Sequence, residues 1–363
     1  MCRRYELEGC ERLSKNMDQK CNMRIFAILQ EPANYTLDII KNIYNPRGVQ
    51  IGFIKPTSAA SDTHAESKVS ARFLFQIFKS YDAVVVNGYT SWVCLLSIWL
   101  NILFFKKPMA IDSDTELRIP ENKLKRTSKW LWLRFLFTRK YCYGFAGGNY
   151  GHKDLFRYYG MAEERIFLMP MMVDNSRYSQ TNVKSSQKMF VFGYLGRLVP
   201  LKQIDKIIKA LPQGCELDII GDGYERAMLE TLAKGKEIRF HGSMFGDDKI
   251  RLLHSFDCLI LYSSYEQWGL VINEALASGI PVIVSDRVGA RKDLIEGENP
   301  TGLVAKWDDV NDLSKKMMLL ASDFSLYAKL SANARKRMEY WNYDLYGKNF
   351  DLWIRKIGGG PYA

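Results

Sequence analysis

Two glutamates, Glu266 and Glu274, stand eight positions apart around a Trp-Gly-Leu in SSYEQWGLVINEALASGIPVIVS, residues 263–285. LILYSSYE reads as the end of a strand. GLVINEALASG reads as a helix that starts at about Gly269 and stops at Gly279. A helix that begins at the carboxyl edge of a parallel sheet turns free N–H groups and its positive dipole end outward, which suits a phosphate. Gly269 lets the backbone come close to that anion. Glu274, about a turn inside the helix, is placed to accept hydrogen bonds from two neighbouring sugar hydroxyls. Glu266 is placed to reach a group beyond the phosphates. A ligand with hydroxyls at both ends and a diphosphate between them is a nucleotide-sugar. The alternative, two solvated acids favoured near a helix start, has the same spacing and stays open at this point.

A second stretch, GYLGRLVPLKQ, puts Arg197 and Lys202 in the loop after another strand. Two cations there would neutralise a diphosphate leaving group.

These residues need elements to hold them. From residue 188 onward, β-branched runs (MFVFGYLG, ELDIIG, EIRFHG, DCLILYSS, PVIVSD, GLVAK) alternate with helical periodicity such as LKQIDKIIKAL and DDKIRLLHSF. That alternation predicts an α/β domain with a doubly wound parallel sheet. The first half repeats the style in MRIFAILQ, VQIGFIK, YDAVVVNG and KPMAIDSD. At 363 residues the chain exceeds one ordinary core, so two such domains facing a cleft are expected. The expected divisions are a polar extension or overlong start at 1–22, a first domain at 23–180, a linker at 181–187, a nucleotide-sugar-binding domain at 188–338, and a C-terminal helix at 339–363.

Taken in order, GRLVPLK, IIGDGYER, IRFHG, SSYEQWGLVINEALASGIPVIVSDRVGARKDLI and TGLVAKWDD resemble the nucleotide-binding domain of the retaining group 1 (family 4) glycosyltransferases. The likeness covers roughly residues 188–325 and implies the GT-B fold, two Rossmann-like domains around a central cleft, with the first domain binding the acceptor. It implies that Arg197 and Lys202 hold the donor diphosphate and that Glu274 binds the ribose. Glu266 would contact the transferred sugar, and Gly196, Gly269 and Leu270 would lie beside the donor. It further implies a UDP- or GDP-sugar donor, retention of configuration, no metal and no bound cofactor. The acceptor would be a saccharide or lipid-linked saccharide, in lipopolysaccharide, capsule or glycolipid assembly. Departures are Gln203, where many relatives have glycine, the absence of a glycine pair in LQEPANYTLDII, and IDSDTE in place of a His-acidic motif. Asp112, Asp114 and His152 are the acceptor-side candidates.

Other readings are narrower. An epimerase needs acid/base residues facing the sugar, and a cofactor-type phosphorylase needs a Schiff-base lysine; neither leaves a signature here. A catalytically silent nucleotide-sugar-binding scaffold is the rival from a different class. The seven cysteines form no CxxC pair and the four histidines no HxxxH, so no structural zinc is expected. The N-terminus lacks a secretory apolar core, and the apolar run 92–105 is shorter than the ~20 residues that span a bilayer. The formal net charge of +11 points to an anionic partner. Residues 118–140 carry eight basic residues and one acid among Trp130, Trp132, Phe135 and Phe137. Such a segment suits either a core helix with a basic face or an interfacial helix on anionic lipid. The expected location is cytoplasmic, peripheral on the inner face of the plasma membrane. With no RNP-like, helix-turn-helix or zinc pattern, nucleic acid is not an expected partner.

Overall fold

The computed structural model describes residues 23–54, 70–179 and 189–358. The 1–22 extension, the 181–187 linker and the last five residues lie outside the described residues.

Among the described residues, twelve strands form two parallel sheets of six. The first holds β1 (Ile25–Leu29), β2 (Gln50–Phe53), β3 (Ala83–Asn87), β4 (Met109–Ser113), β5 (Cys142–Ala146) and β6 (Ile166–Leu168), in the order β2-β1-β3-β4-β5-β6. The second holds β7 (Phe190–Leu195), β8 (Cys215–Ile220), β9 (Ile238–Gly242), β10 (Cys258–Leu261), β11 (Val282–Ser285) and β12 (Gly302–Ala305), in the order β12-β11-β10-β7-β8-β9. CLIL in β10 and VIVS in β11 are buried at every position, as strands covered by helices on both faces must be. The sequence showed four strands of the first sheet; CYGFA and IFL are the additional two. In the second sheet the order reverses between β7 and β10, which are direct neighbours. The crevice outside the carboxyl ends of those two strands is where open α/β sheets receive ligands. The loops after β7 and β10 are the ones that carry Arg197 and Lys202, and Glu266.

The chain passes between the lobes twice. After β6 it runs through the short helix Asn175–Tyr178 toward the second sheet. After the helix Phe324–Tyr340 it returns as the helix Tyr343–Ile357, which packs on the first lobe. There Trp353 meets Phe145 edge-on at 5.0 Å, and Phe350 lies 5.4 Å from Tyr44. Asp351 accepts from Arg47 Nε at 2.6 Å and Nη2 at 2.9 Å. Phe350 and Trp353 are fully buried, so each contributes on the order of 2–3 kcal/mol of apolar burial to the docking.

The run 92–105 forms a helix, Trp92–Leu100, followed by a π-helical turn, Asn101–Phe105, that ends at Lys106 with φ 52°. Buried Asn101 closes the turn by bonding both the N–H and the carbonyl of Lys107, each at 2.9 Å. No described helix is long and apolar enough to cross a membrane.

Candidate functional site

Gly269 caps the helix Leu270–Ala277 with φ 94°, and no side chain caps that end. A Cβ at 269 would lie 2.6 Å from Leu261, so the position needs glycine for space as well as for conformation. The loop ahead of the helix is held from three sides. Glu266 donates its N–H to Arg287 O at 3.1 Å, and its own carbonyl accepts from Gly289 N at 2.9 Å. Buried Trp268 donates Nε1–H to Asn273 at 2.8 Å, and Asn273 in turn donates to Met171 O at 3.1 Å, on the segment that connects the lobes.

The Glu266 carboxylate pairs with Lys202 Nζ, which joins the loops after β7 and β10 across the switch point. Both side chains are largely buried, so water screens the pair little. Arg197 is exposed, and its side chain has no hydrogen bond or ion pair among the described residues; its carbonyl accepts from Tyr194 Oη at 2.9 Å. Gln203, directly after Lys202, takes a left-handed conformation with φ 51°. That conformation gives the physical reason a glycine suits the position, because a β-carbon is disfavoured there.

Glu274 is buried, and sequence spacing gave no hint of its partners. Lys249 Nζ donates to both of its oxygens, at 2.8 and 2.9 Å, and Tyr178 Oη donates to Oε1 at 3.0 Å. Burial, reinforced by the Glu274 charge, pushes the Tyr178 phenol well above its usual range, which keeps its proton available as a donor. Lys249 lies in the first turns of the helix Gly246–Leu253 after β9, and Tyr178 ends the connecting helix Asn175–Tyr178. Neither belongs to a local motif; both reach Glu274 only through the fold.

From the first lobe, the loop after β4 leans across the cleft. Arg118 stacks over the Tyr265 ring at 3.6 Å. Glu116 is close enough that a Cβ on Gly289 would lie 3.0 Å from its Oε1, and burial pushes its carboxyl up to about 7. Asp112 accepts from Asn87 Nδ2 at 2.8 Å, and burial raises its carboxyl to about 6. Asp114 is exposed. His152 is fully buried against Trp268, with ring centroids 5.4 Å apart. Its Nδ1 lies 3.2 Å from Tyr150 O, and burial lowers its basicity. His152 therefore belongs to the packed boundary between the lobes.

That boundary has a clasp that spacing did not reveal. Asp293 of the second lobe accepts from Asn149 N at 3.0 and 3.1 Å, from Asn149 Nδ2 at 3.0 Å and from Tyr150 N at 3.3 Å. Gly148 makes room for it, since a Cβ there would lie 2.6 Å from Trp268 and 2.8 Å from Asp293. Among the described residues no group of three or more His, Cys, Asp or Glu side chains is arranged to hold a metal ion.

Two parallel Rossmann-like sheets with a polar cleft at the switch point of the second define a GT-B protein. The Anabaena protein HepE in complex with UDP superposes with a TM-score of 0.74 over 92% of this chain and all of that one, at 16% identity. WaaG, a glycosyltransferase involved in lipopolysaccharide biosynthesis, gives 0.65 over 93% of this chain and all of that one, also at 16%. Residues 177–337 match the model of glycosyl transferases group 1. Among curated relatives, the sulfoquinovosyl transferase of Arabidopsis thaliana is 30% identical over 153 residues, 42% of this chain and 30% of that protein. A GDP-mannose-dependent α-mannosyltransferase of Mycobacterium tuberculosis is 36% identical over 115 residues, 31% of this chain and 29% of its own length. The matches with these two relatives thus span about a third of their length.

Proposed function

We propose that this protein transfers a sugar from a nucleoside-diphosphate sugar to a hydroxyl acceptor with retention of configuration, in cell-surface polysaccharide or glycolipid assembly. The observation that carries the reading is the meeting of Lys202, Glu266 and the Gly269-led helix start at the switch point, with Glu274 one turn deeper. Lys202, Arg197 and the free helix terminus offer positive charge where a diphosphate leaving group gains negative charge. Stabilisation that grows as the glycosidic bond breaks is what accelerates transfer. Glu266, held by Lys202, faces the sugar being moved, and Glu274 holds the ribose. Gly196 and Leu270 supply backbone beside the donor. The HepE complexes with UDP and with UDP-glucose support a uridine donor within this fold.

On the first lobe, Asp114 and Glu116 face the acceptor. Outside the cleft, Trp99 packs on Trp132 at 5.3 Å and on Phe135 at 6.0 Å, joining the helix Trp92–Leu100 to the basic helix Lys123–Phe137. Leu103, Phe104 and Leu124 stand 61%, 65% and 80% exposed, far more than packing alone requires. An anionic membrane surface is the partner such a face fits, and a lipid-linked acceptor would then be met at the inner face of the plasma membrane.

The test is calorimetric titration of UDP, GDP, ADP, CDP and dTDP without added metal, repeated on Glu274→Ala, followed by hydrolysis of the matching nucleotide-sugar. Binding of one nucleotide, weakened in the variant, together with release of its sugar, is the expected result. Binding without any turnover identifies a silent scaffold instead, and binding of none overturns the donor-site reading.

A further inference from the structure

The carboxylate assigned to the ribose is already occupied, and the occupant has binding capacity to spare. Glu274 Oε1 accepts from both Lys249 and Tyr178, which fills its two lone-pair directions, while Oε2 accepts only from Lys249. One acceptor position therefore remains, and a ribose presents two hydroxyls. Lys249 has three N–H groups and uses two on Glu274; Tyr178 Oη, at 3.4 Å, is a long partner for the third. A cis-diol suits that combination, with one hydroxyl donating to Oε2 and its neighbour accepting from Nζ.

Displacing Lys249 is the costly alternative. The two side chains are only 19% and 11% exposed, so removing the ammonium would leave a buried carboxylate without its counter-charge. Tyr178 also offers its ring face to the ammonium at 5.5 Å, which holds Lys249 where it is. Both partners stand in the opening turns of helices that begin at the carboxyl edge of the second sheet, after β9 and after β10.

We propose that Lys249 is a second ribose ligand: it stays ion-paired to Glu274 and donates to one hydroxyl of the ribose diol, so that the site selects ribonucleotides over 2′-deoxyribonucleotides. The proposal rests on the assignment of Glu274 to the ribose and adds the residue and the ligand feature it reads. Donors built on deoxythymidine diphosphate are disfavoured on the same ground.

The experiment titrates UDP, 2′-deoxy-UDP, GDP and 2′-deoxy-GDP into the full-length protein, K249M, K249R and K249Q, with thermal unfolding followed in parallel. The wild type should prefer the ribonucleotide of the base it binds by about tenfold, the scale of one hydrogen bond to a charged group. In K249M that preference should collapse, through weaker ribonucleotide binding and little change for the deoxynucleotide. K249R should keep most of it. If K249M does not fold, K249Q decides in its place. A merely structural lysine would change both affinities together and leave their ratio alone. An unchanged ratio, or tighter ribonucleotide binding, makes Lys249 a displaced counter-ion and overturns the proposal while leaving Glu274 in place. A wild type that binds none of the four overturns the ribose assignment itself.

Discussion

Removing the Asp293 carboxylate should loosen the two lobes while leaving each folded. In Asp293→Ala, the N–H groups of Asn149 and Tyr150 and the Asn149 amide lose the acceptor they share at 3.0–3.3 Å. A hydrogen bond to a charged group is worth roughly 1.5–3 kcal/mol net, and three donors would sum to more than 4. Two effects reduce that sum. Burial holds the Asp293 carboxyl above its usual range, so ionising it in place has a cost that the variant escapes. Tyr150 is exposed, and its freed N–H can turn to water. The net loss is therefore about 2–4 kcal/mol, the scale of breaking a buried polar link. Urea unfolding resolves it with two probes. Trp268, stacked on Trp341 at 5.6 Å beside the clasp, reports the boundary by fluorescence, and far-UV circular dichroism reports the helices of both lobes. The fluorescence transition should move to lower urea ahead of the dichroism transition. Coincident transitions, with a midpoint unchanged from wild type, would refute the clasp.

Three further outcomes are expected. Glu116 releases its proton near 4.5 when unfolded and at about 7 when native, because burial outweighs the pull of Arg118, Arg291 and Lys292. A raised acid means that stability falls as pH rises from about 4.5 to about 7 and is level above; Glu116→Gln should flatten that window in urea titrations, and parallel curves would refute it. Gln203→Gly removes a β-carbon from a left-handed backbone and should stabilise by up to about 1 kcal/mol, read as a higher Tm; a lower Tm would count against strain at this residue. Vesicles with phosphatidylserine should sediment the protein and neutral vesicles should not. The change L103A/L124A, at residues 61% and 80% exposed, should weaken binding with little shift in Tm, and equal retention by both vesicles would remove the anionic-surface reading.

The second sheet was readable because each strand is a short β-branched run between helical periods, so both turn signals and spacing agree. In the first lobe β5 was missed because CYGFA, an aromatic run with a glycine, follows a basic aromatic helix and does not alternate. β6 has only three residues, too few to show a period. At the candidate site, local order singled out Arg197, Lys202, Glu266, Gly269 and Glu274, since all stand on two strand-loop-helix units, after β7 and after β10, that are neighbours in one sheet. Lys249, Tyr178, Asp293 and Glu116 were not legible. Each meets its partner from a different element, and no spacing rule describes a contact made across a cleft.

The helix Tyr343–Ile357 belongs to the first lobe in space and to the end of the chain in sequence. A recombination event with a single breakpoint between the lobes would therefore carry away Trp353, Phe350 and Asp351 and strip the first lobe of a buried face. Viable hybrids with other proteins of this fold need two joints, one in the segment after β6 and one near Trp341. In this architecture the first lobe and the helix Tyr343–Ile357 have to move together, while the second lobe between them can be exchanged as a unit.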